Sequence, residues 1–313
     1  MTNSRQYATV TSKDILFTER GTTMNDHNFT AGAAIRSHIR PLTMDSLMKL
    51  VPSAFAEHAA GNTSDKYTYI PTHQIIEGLM GEGWVPVKAQ QSVARILERK
   101  DFARHMIRFQ RPDSAPVVVG DVFPEIILSN AHDGTSAYRM DAGLFRLACS
   151  NGMCVSDASF DKISIPHRGD IRTQVIEASY RVIERMPELA HEVKSFKDTM
   201  MPETHARAFA NAALELKYPT DIDEESGKRT RTSPIEPWQI VQPRRNADRD
   251  EKNNLWGVFN MVQENLINGG VRGRSAAGRR TTTRSVKSVT EDLRLNKALW
   301  TLATEMRGIL AGA

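Results

Sequence analysis

Residues 269–288 read GGVRGRSAAGRRTTTRSVKS and carry Arg272, Arg274, Arg279, Arg280, Arg284 and Lys287 without one acidic residue. Guanidinium groups match phosphate oxygens two bonds at a time, and glycine and serine leave the backbone free to adapt to a ligand. Six cations with no counter-charge repel one another unless an anion lies between them, and nucleic acid is the commonest such anion. Val271, Ala276, Ala277 and Val286 are its only apolar side chains. That is too little to offset an ordering cost of ~1–2 kcal/mol per residue, so a loop that nucleic acid orders is expected. The alternatives are a solvated basic loop, or a strand or helix extension over 281–289 that is rigid from the start.

A second basic group comprises Arg95, Arg99, Lys100, Arg104, His105, Arg108 and Arg111, diluted by Glu98 and Asp101, and Lys88 is a further candidate contact. Residues 102–111 alternate between apolar and basic as a half-exposed strand would. Arg104 and Arg108 then share its solvent face, as a phosphate track or as an ordinary exposed strand. A third group, Arg168 and Arg172, flanks a helix start, where backbone N–H groups favour anions. Tyr67, Tyr69 and Trp84 border the same region and are candidates for stacking on bases. The tryptophans Trp84, Trp238, Trp256 and Trp300 also read as core anchors.

Other chemistries lack their residues. Gly227-Lys228-Arg229-Thr230 resembles the end of a phosphate loop, but Ile222 stands where the leading glycine belongs and Arg229 replaces the hydroxyl residue. His132-Asp133 is the dyad of metal phosphohydrolases, yet that chemistry needs further His and Asp ligands and the remaining histidines show no helical pairing, so His132-Asp133-Gly134 reads as a turn. Cys149 and Cys154 are too few for a disulfide framework or a thiolate zinc site and read as buried, reduced thiols. No serine-nucleophile elbow is present. The expectation is therefore no catalytic residue, no metal and no cofactor. A polar stretch over 1–23, without the apolar segment of a secretory signal, and the lack of any ~18-residue apolar run point to a cytoplasmic protein with no membrane partner.

The chain has 313 residues, 40% hydrophobic and 25% charged, with a net charge of +4. These are the proportions of a globular protein. Residues 1–40 read as a flexible arm. Within 41–170, Thr43 caps a short helix that breaks at Pro52, and Thr72 caps a second whose Ile75, Ile76, Leu79 and Met80 share a face. Apolar runs at 84–90, 102–111, 123–129, 136–140 and 144–149 then form an antiparallel meander. Residues 171–313 turn helical, with helices near 171–185, 189–199, 202–216, 253–267 and 291–309, a polar surface loop at 221–237 and the basic loop at 269–288. This is an α+β pattern, a helix and antiparallel meander followed by a mostly helical part, and not an alternating nucleotide-binding sheet.

The blocks ILSNAHDGTS at 127–136 and FRLACSNG at 145–152 resemble the phage/plasmid-like proteins of enterobacterial prophages and conjugative plasmids, a family without an assigned reaction. The likeness runs from Arg40 to Arg307, through YTYIP at 67–71, RHM at 104–106, IPHRGD at 165–170, QEN at 263–265, GRSA at 273–276 and LNKALW at 295–300. More distantly, a helix, a Gly83-Trp84 step and a meander are similar to the core of single-strand annealing proteins of the Red beta, RecT and Erf type. That second resemblance implies ATP- and metal-independent binding and annealing of single-stranded DNA in recombination. It also implies a ring or filament of self-associated subunits, with a host single-strand-binding protein or a phage exonuclease as further partners. Annealing needs sequence-blind phosphate contacts, which the basic groups could supply. The alternative is an anti-defence or anti-restriction protein that binds a host protein.

Overall fold

The computed structural model describes residues 40–61, 68–93, 97–114, 122–133, 136–146, 151–154, 163–167, 169–222, 229–230, 233–244 and 253–312. The expected arm, 1–40, lies outside them but for its last residue. Helix α1 (Met44–Leu50) starts where Thr43 accepts a hydrogen bond from the Ser46 backbone N–H, and Asp45 and Lys49 complement its dipole. It gives way to a 3-10 turn at Pro52–Phe55. Helix α2 (Thr72–Gly81) buries Ile75, Ile76 and Leu79, and its N-cap is Pro71. Thr72 is thus not the expected cap; its hydroxyl is engaged in the interior.

Five strands follow in a meander: β1 (Val85–Gln91), β2 (His105–Gln110), β3 (Val122–Asn130), β4 (Tyr138–Arg146) and β5 (Asn151–Cys154). They pair antiparallel in chain order, and β6 (Ser164–Ile165) adds beside β4. Of the one or two strands expected over 136–149, the described residues hold one, β4; residues 147–150 lie outside them. Alternation sets two faces. One carries Ile107, Phe109, Ile126, Leu128, Met140, Ala142 and Leu144, all buried in the main core. The other carries Met106, Arg108, Gln110, Glu125, Ile127, Asp141 and Cys154, also buried.

Residues 102–111 do not form one half-exposed strand. Residues Leu97–Phe102 form a 3-10 turn, the strand begins at His105, and all six of its residues are buried. Its basic face does not meet solvent because a later helix covers it.

That helix is α8 (Val289–Ala311), at the end of a helical part formed by α3 (Ile171–Glu184), α4 (Met186–Asp198), α5 (Glu203–Lys217), α6 (Pro237–Ile240) and α7 (Leu255–Asn268). Near its N-terminus, Val289 and Leu293 pack with Met106, Ile127 and Cys154. Farther along, Leu299, Trp300, Ala303 and Met306 join the main core. Helix α7 carries Leu255, Phe259, Val262 and Leu266 at helical spacing, and every residue of it but Asn268 is buried. Its polar side chains find partners inside: Gln263 donates to Asn296 Oδ1 at 2.8 Å and Asn265 to the Ile240 carbonyl at 2.9 Å. The sheet and the helices share one core, and residues 31–313 form one compact unit. The polar loop expected at 221–237 includes a two-residue ribbon, β7 (Asp221–Ile222) with β8 (Arg229–Thr230). Among the described residues no helix is long and apolar enough to cross a membrane.

Candidate nucleic-acid interface

The Arg-rich segment is a hairpin, not the expected adaptable loop. Strands β9 (Arg272–Arg274) and β10 (Arg280–Thr282) pair antiparallel, with Arg274 opposite Arg280, Gly273 opposite Thr281 and Arg272 opposite Thr282. Below the strands the Gly270 N–H donates to Thr283 O, and the Thr283 N–H to Val271 O. The hairpin is the link between α7 and α8, so core helices fix both of its ends. At its start Gly269 adopts φ +63, and a Cβ there would lie 2.5 Å from the Arg284 carbonyl carbon. Only glycine permits that approach.

One face of this ribbon is anchored and the other is open. Gly273 lies against the chain at Pro234–Ile235, where an added Cβ would come within 2.0 Å of Pro234 O. The adjacent Arg274 N–H donates to the same carbonyl at 2.8 Å. Gln239 Nε2 donates to Arg272 O at 2.8 Å and ties α6 to β9. Arg272, Arg274, Arg280 and Thr282 are exposed, whereas Gly273 and Thr281 are half-buried. Alternate strand residues lie about 6.7 Å apart, so Arg272 and Arg274 project from one face at that interval.

Between this ribbon and α6 lies a groove of about 790 Å³, lined by Glu236, Gln239, Arg272, Arg274, Arg280 and Thr282 among others. A second hollow, about 420 Å³, continues along Lys217, Tyr218, Arg284, Lys287 and Glu291 and shares Pro234 and Thr282 with the first. Among the described residues, Arg272, Arg279, Arg280, Arg284 and Lys287 have no side-chain ion pair or hydrogen bond. Arg274 donates only to the Gly278 carbonyl of its own turn. Glu291, by contrast, is held by Arg294 at 2.7 Å. Lys217 donates to the carbonyls of Leu266 and Arg284, and burial lowers its pKa. The track is cationic and its backbone is fixed.

The other expected contacts divide. The Gln90 side chain donates to Lys287 O, so the track runs toward edge strand β1. Lys88 of that strand is exposed; its pKa is lowered chiefly by desolvation and next by Arg108, its register partner. Arg108 is no phosphate ligand. It is 1% exposed and donates to Glu125 at 3.0 Å and to Met153 O at 3.2 Å. Arg104 precedes the strand and is half-buried, its pKa lowered by desolvation and then by Arg139. Arg111 is paired with Asp113 at 3.1 Å and lies over the Trp84 ring. Lys100 is exposed, and Arg172 is exposed on α3 with its side chain against Gly78. Arg95, Arg168 and Tyr67 lie outside the described residues, as does the side chain of Arg99.

The stacking candidates are inside. Trp84 is 2% exposed and belongs to the main core. Tyr69 is half-buried; its hydroxyl donates to Ala56 O, its ring edge meets His132, and burial with Glu57 nearby pushes its pKa up to about 12.

The structure also brings together three histidines that share no sequence spacing. His105, His132 and His167 converge around Thr72, Asn130 and Tyr138, all buried. One protonation pattern satisfies the shorter contacts and leaves only the 3.3 Å approach of His105 Nδ1 to the Ala103 carbonyl unmade. Tyr138 donates to Ile70 O, so its oxygen accepts from Thr72. The Thr72 oxygen then accepts from Nε2 of both His105 and His132, each at 3.0 Å. Ser53 donates to His105 Nδ1, Asn130 Nδ2 to His132 Nδ1, and His167 Nε2 to Asn130 Oδ1. The His105 and His132 rings are neutral in this pattern. Desolvation lowers the pKa of His105 to about 4, and that of His132, with His105 and His167 adjacent, to about 3. His132 is therefore an interior linker and not only a turn residue. Among the described residues no group of three His, Cys, Asp or Glu could hold a metal ion. Cys154 is buried, and its thiol pKa is raised by desolvation and then by Asp141; Cys149 lies outside the described residues.

Comparison with known proteins gives a family. The profile of a family described as "Domain of unknown function (DUF932)" matches residues 59–300. Two proteins of Escherichia coli (strain K12), the UPF0380 protein YfjQ and the UPF0380 protein YafZ, are each similar to this chain. Each is 39% identical over 264 residues, covering 84% of this chain and 91% of the relative. No solved structure matches. The likeness to annealing proteins rests on element order and the Gly83-Trp84 step.

Proposed function

This chain belongs to the DUF932 family, and we propose that it is a sequence-blind single-stranded DNA-binding protein that grips phosphates along the β9–β10 ribbon. One observation carries this reading. The ribbon places Arg274 directly opposite Arg280 with no carboxylate between them among the described residues. Like charges facing each other across a strand pair are destabilising, and a bridging anion reverses the sign. A chain of phosphates supplies such anions repeatedly, as the continuation to Arg284 and Lys287 requires.

Phosphate-directed contacts carry no base code and leave base edges available. Strand annealing, free of nucleotide and metal, is the activity we assign to such a grip, with several copies of the chain arrayed along one strand. The primary test is fluorescence anisotropy of a labelled oligo(dT) across a salt series. If ~6 phosphates are neutralised, log affinity should fall against log salt with a slope near −4. A slope near zero, or tight binding to one sequence alone, would refute the reading. Mixing complementary labelled strands in EDTA, without nucleotide, tests annealing separately.

A further inference from the structure

We propose that Trp238 is a stacking platform for a nucleotide base at the rim of the arginine groove, a proposal that rests on the groove being a phosphate track. Trp84, Trp256 and Trp300 are each at most 2% exposed, whereas Trp238 is 60% exposed. Three tryptophans are core; one is presented to solvent.

The presentation is fixed by local structure. Helix α6 is a single turn closed by a capping box between Glu236 and Gln239. Pro237 and Ile240 are buried, and Glu236 and Gln239 line the groove. Successive helical residues are turned by about 100°, which leaves Trp238 on the remaining outward side of the turn. Gln242 Nε2 holds the Trp238 carbonyl at 3.0 Å, and Gln239 holds Arg272 O at 2.8 Å. The turn that carries Trp238 is thus tied through Gln239 to the strand that carries Arg272 and Arg274.

An exposed indole on the turn whose Glu236 and Gln239 line the arginine groove suits a ligand that is anionic along one edge and flat and apolar along the other. A single strand has that form, because its bases are free to turn outward from the phosphates. A duplex keeps its base faces stacked inside and offers Trp238 nothing. Stacking uses the face of a base and leaves its pairing edge open, so the contact adds affinity for single strands without reading sequence.

The test uses the intrinsic fluorescence of the full chain, since the buried tryptophans give a constant background. Oligo(dT) is titrated in parallel with inorganic polyphosphate, which offers phosphates without bases. Oligo(dT) is expected to quench the Trp238 emission, and polyphosphate to compete for the groove without quenching. Trp238→Ala should weaken oligo(dT) binding roughly 5- to 150-fold while leaving polyphosphate affinity unchanged. Trp238→Phe should recover most of the loss. Unchanged oligo(dT) affinity in Trp238→Ala would overturn the stacking role and leave the phosphate track standing. Equal losses for both probes would also overturn it, as damage to the groove wall. Failure of the unmodified protein to bind either probe would remove the track and the platform together.

Discussion

Arg274 and Arg280 face each other across the β9–β10 ribbon as register partners, both exposed. Their Cβ atoms are therefore about 4.5–5.5 Å apart, a spacing at which two guanidiniums disfavour the hairpin on their own.

Replacing one of the two should separate stability from binding. Arg280→Thr removes the repulsion and adds a residue with high strand propensity. It should raise hairpin stability by about 0.2–1 kcal/mol and lower single-strand affinity, with the salt slope flattened by about 0.7 for the lost phosphate. Thermal melts paired with anisotropy read both signs. A variant that loses stability and keeps its affinity would show that the pair is not an anion site.

Gly273 tests whether the ribbon must be docked. A valine Cβ there collides with Pro234 O, so Gly273→Val should lift β9 off Pro234 and break the Arg274 N–H bond to that carbonyl. Trypsin should then cut quickly after Arg279 or Arg280, where the unsubstituted protein is cut slowly. Affinity for oligo(dT) should fall even though all six cations remain. Slow cleavage in the variant would mean that the docking is dispensable.

Arg108 gives the opposite result from the hairpin arginines. Arg108→Ala leaves the Glu125 carboxylate buried without its guanidinium, a change that costs about 3–5 kcal/mol. Urea denaturation should show that loss, and the protein that stays folded should bind oligo(dT) with unchanged affinity. A full-strength fold with weakened binding would return Arg108 to the interface.

The histidine cluster predicts acid sensitivity. The folded pKa values of His105 and His132, about 4 and about 3, lie below the ordinary value of 6.5. Between those values the unfolded chain binds more protons than the folded one, so stability rises with pH across the window. The full contribution is present above pH 6.5 and is lost progressively as pH falls toward 4. A fully buried ring shifted this far corresponds to a loss on the order of 3 kcal/mol. Urea midpoints at pH 7, 6, 5 and 4 should drop steadily, and a flat profile from 7 to 4.5 would contradict the neutral network.

Local sequence determined the elements because their signals are local. Thr43 caps α1, the alternation at 84–90 and the apolar run at 123–129 give strands, and the 3.6-residue spacing of Leu255, Phe259, Val262 and Leu266 gives α7. The density of arginine at 272–284 marked the strongest cationic segment for the same reason: charge density needs no partner to be seen.

What covers a face is not local, and there only the tertiary structure decided. Arg108 alternates like a solvent-facing strand residue, yet α8, beginning at Val289, lies over that face of the sheet, and Glu125 neutralises it from the neighbouring strand. His105, His132 and His167 share no spacing because three separate chain segments deliver them to Thr72 and Asn130. The tryptophans carry the same lesson. Their composition is alike, but one turn anchored by Pro237 and Ile240 sends Trp238 outward, while Trp84, Trp256 and Trp300 fill the core. Burial is a property of pairs of elements, so a single element's pattern cannot state it.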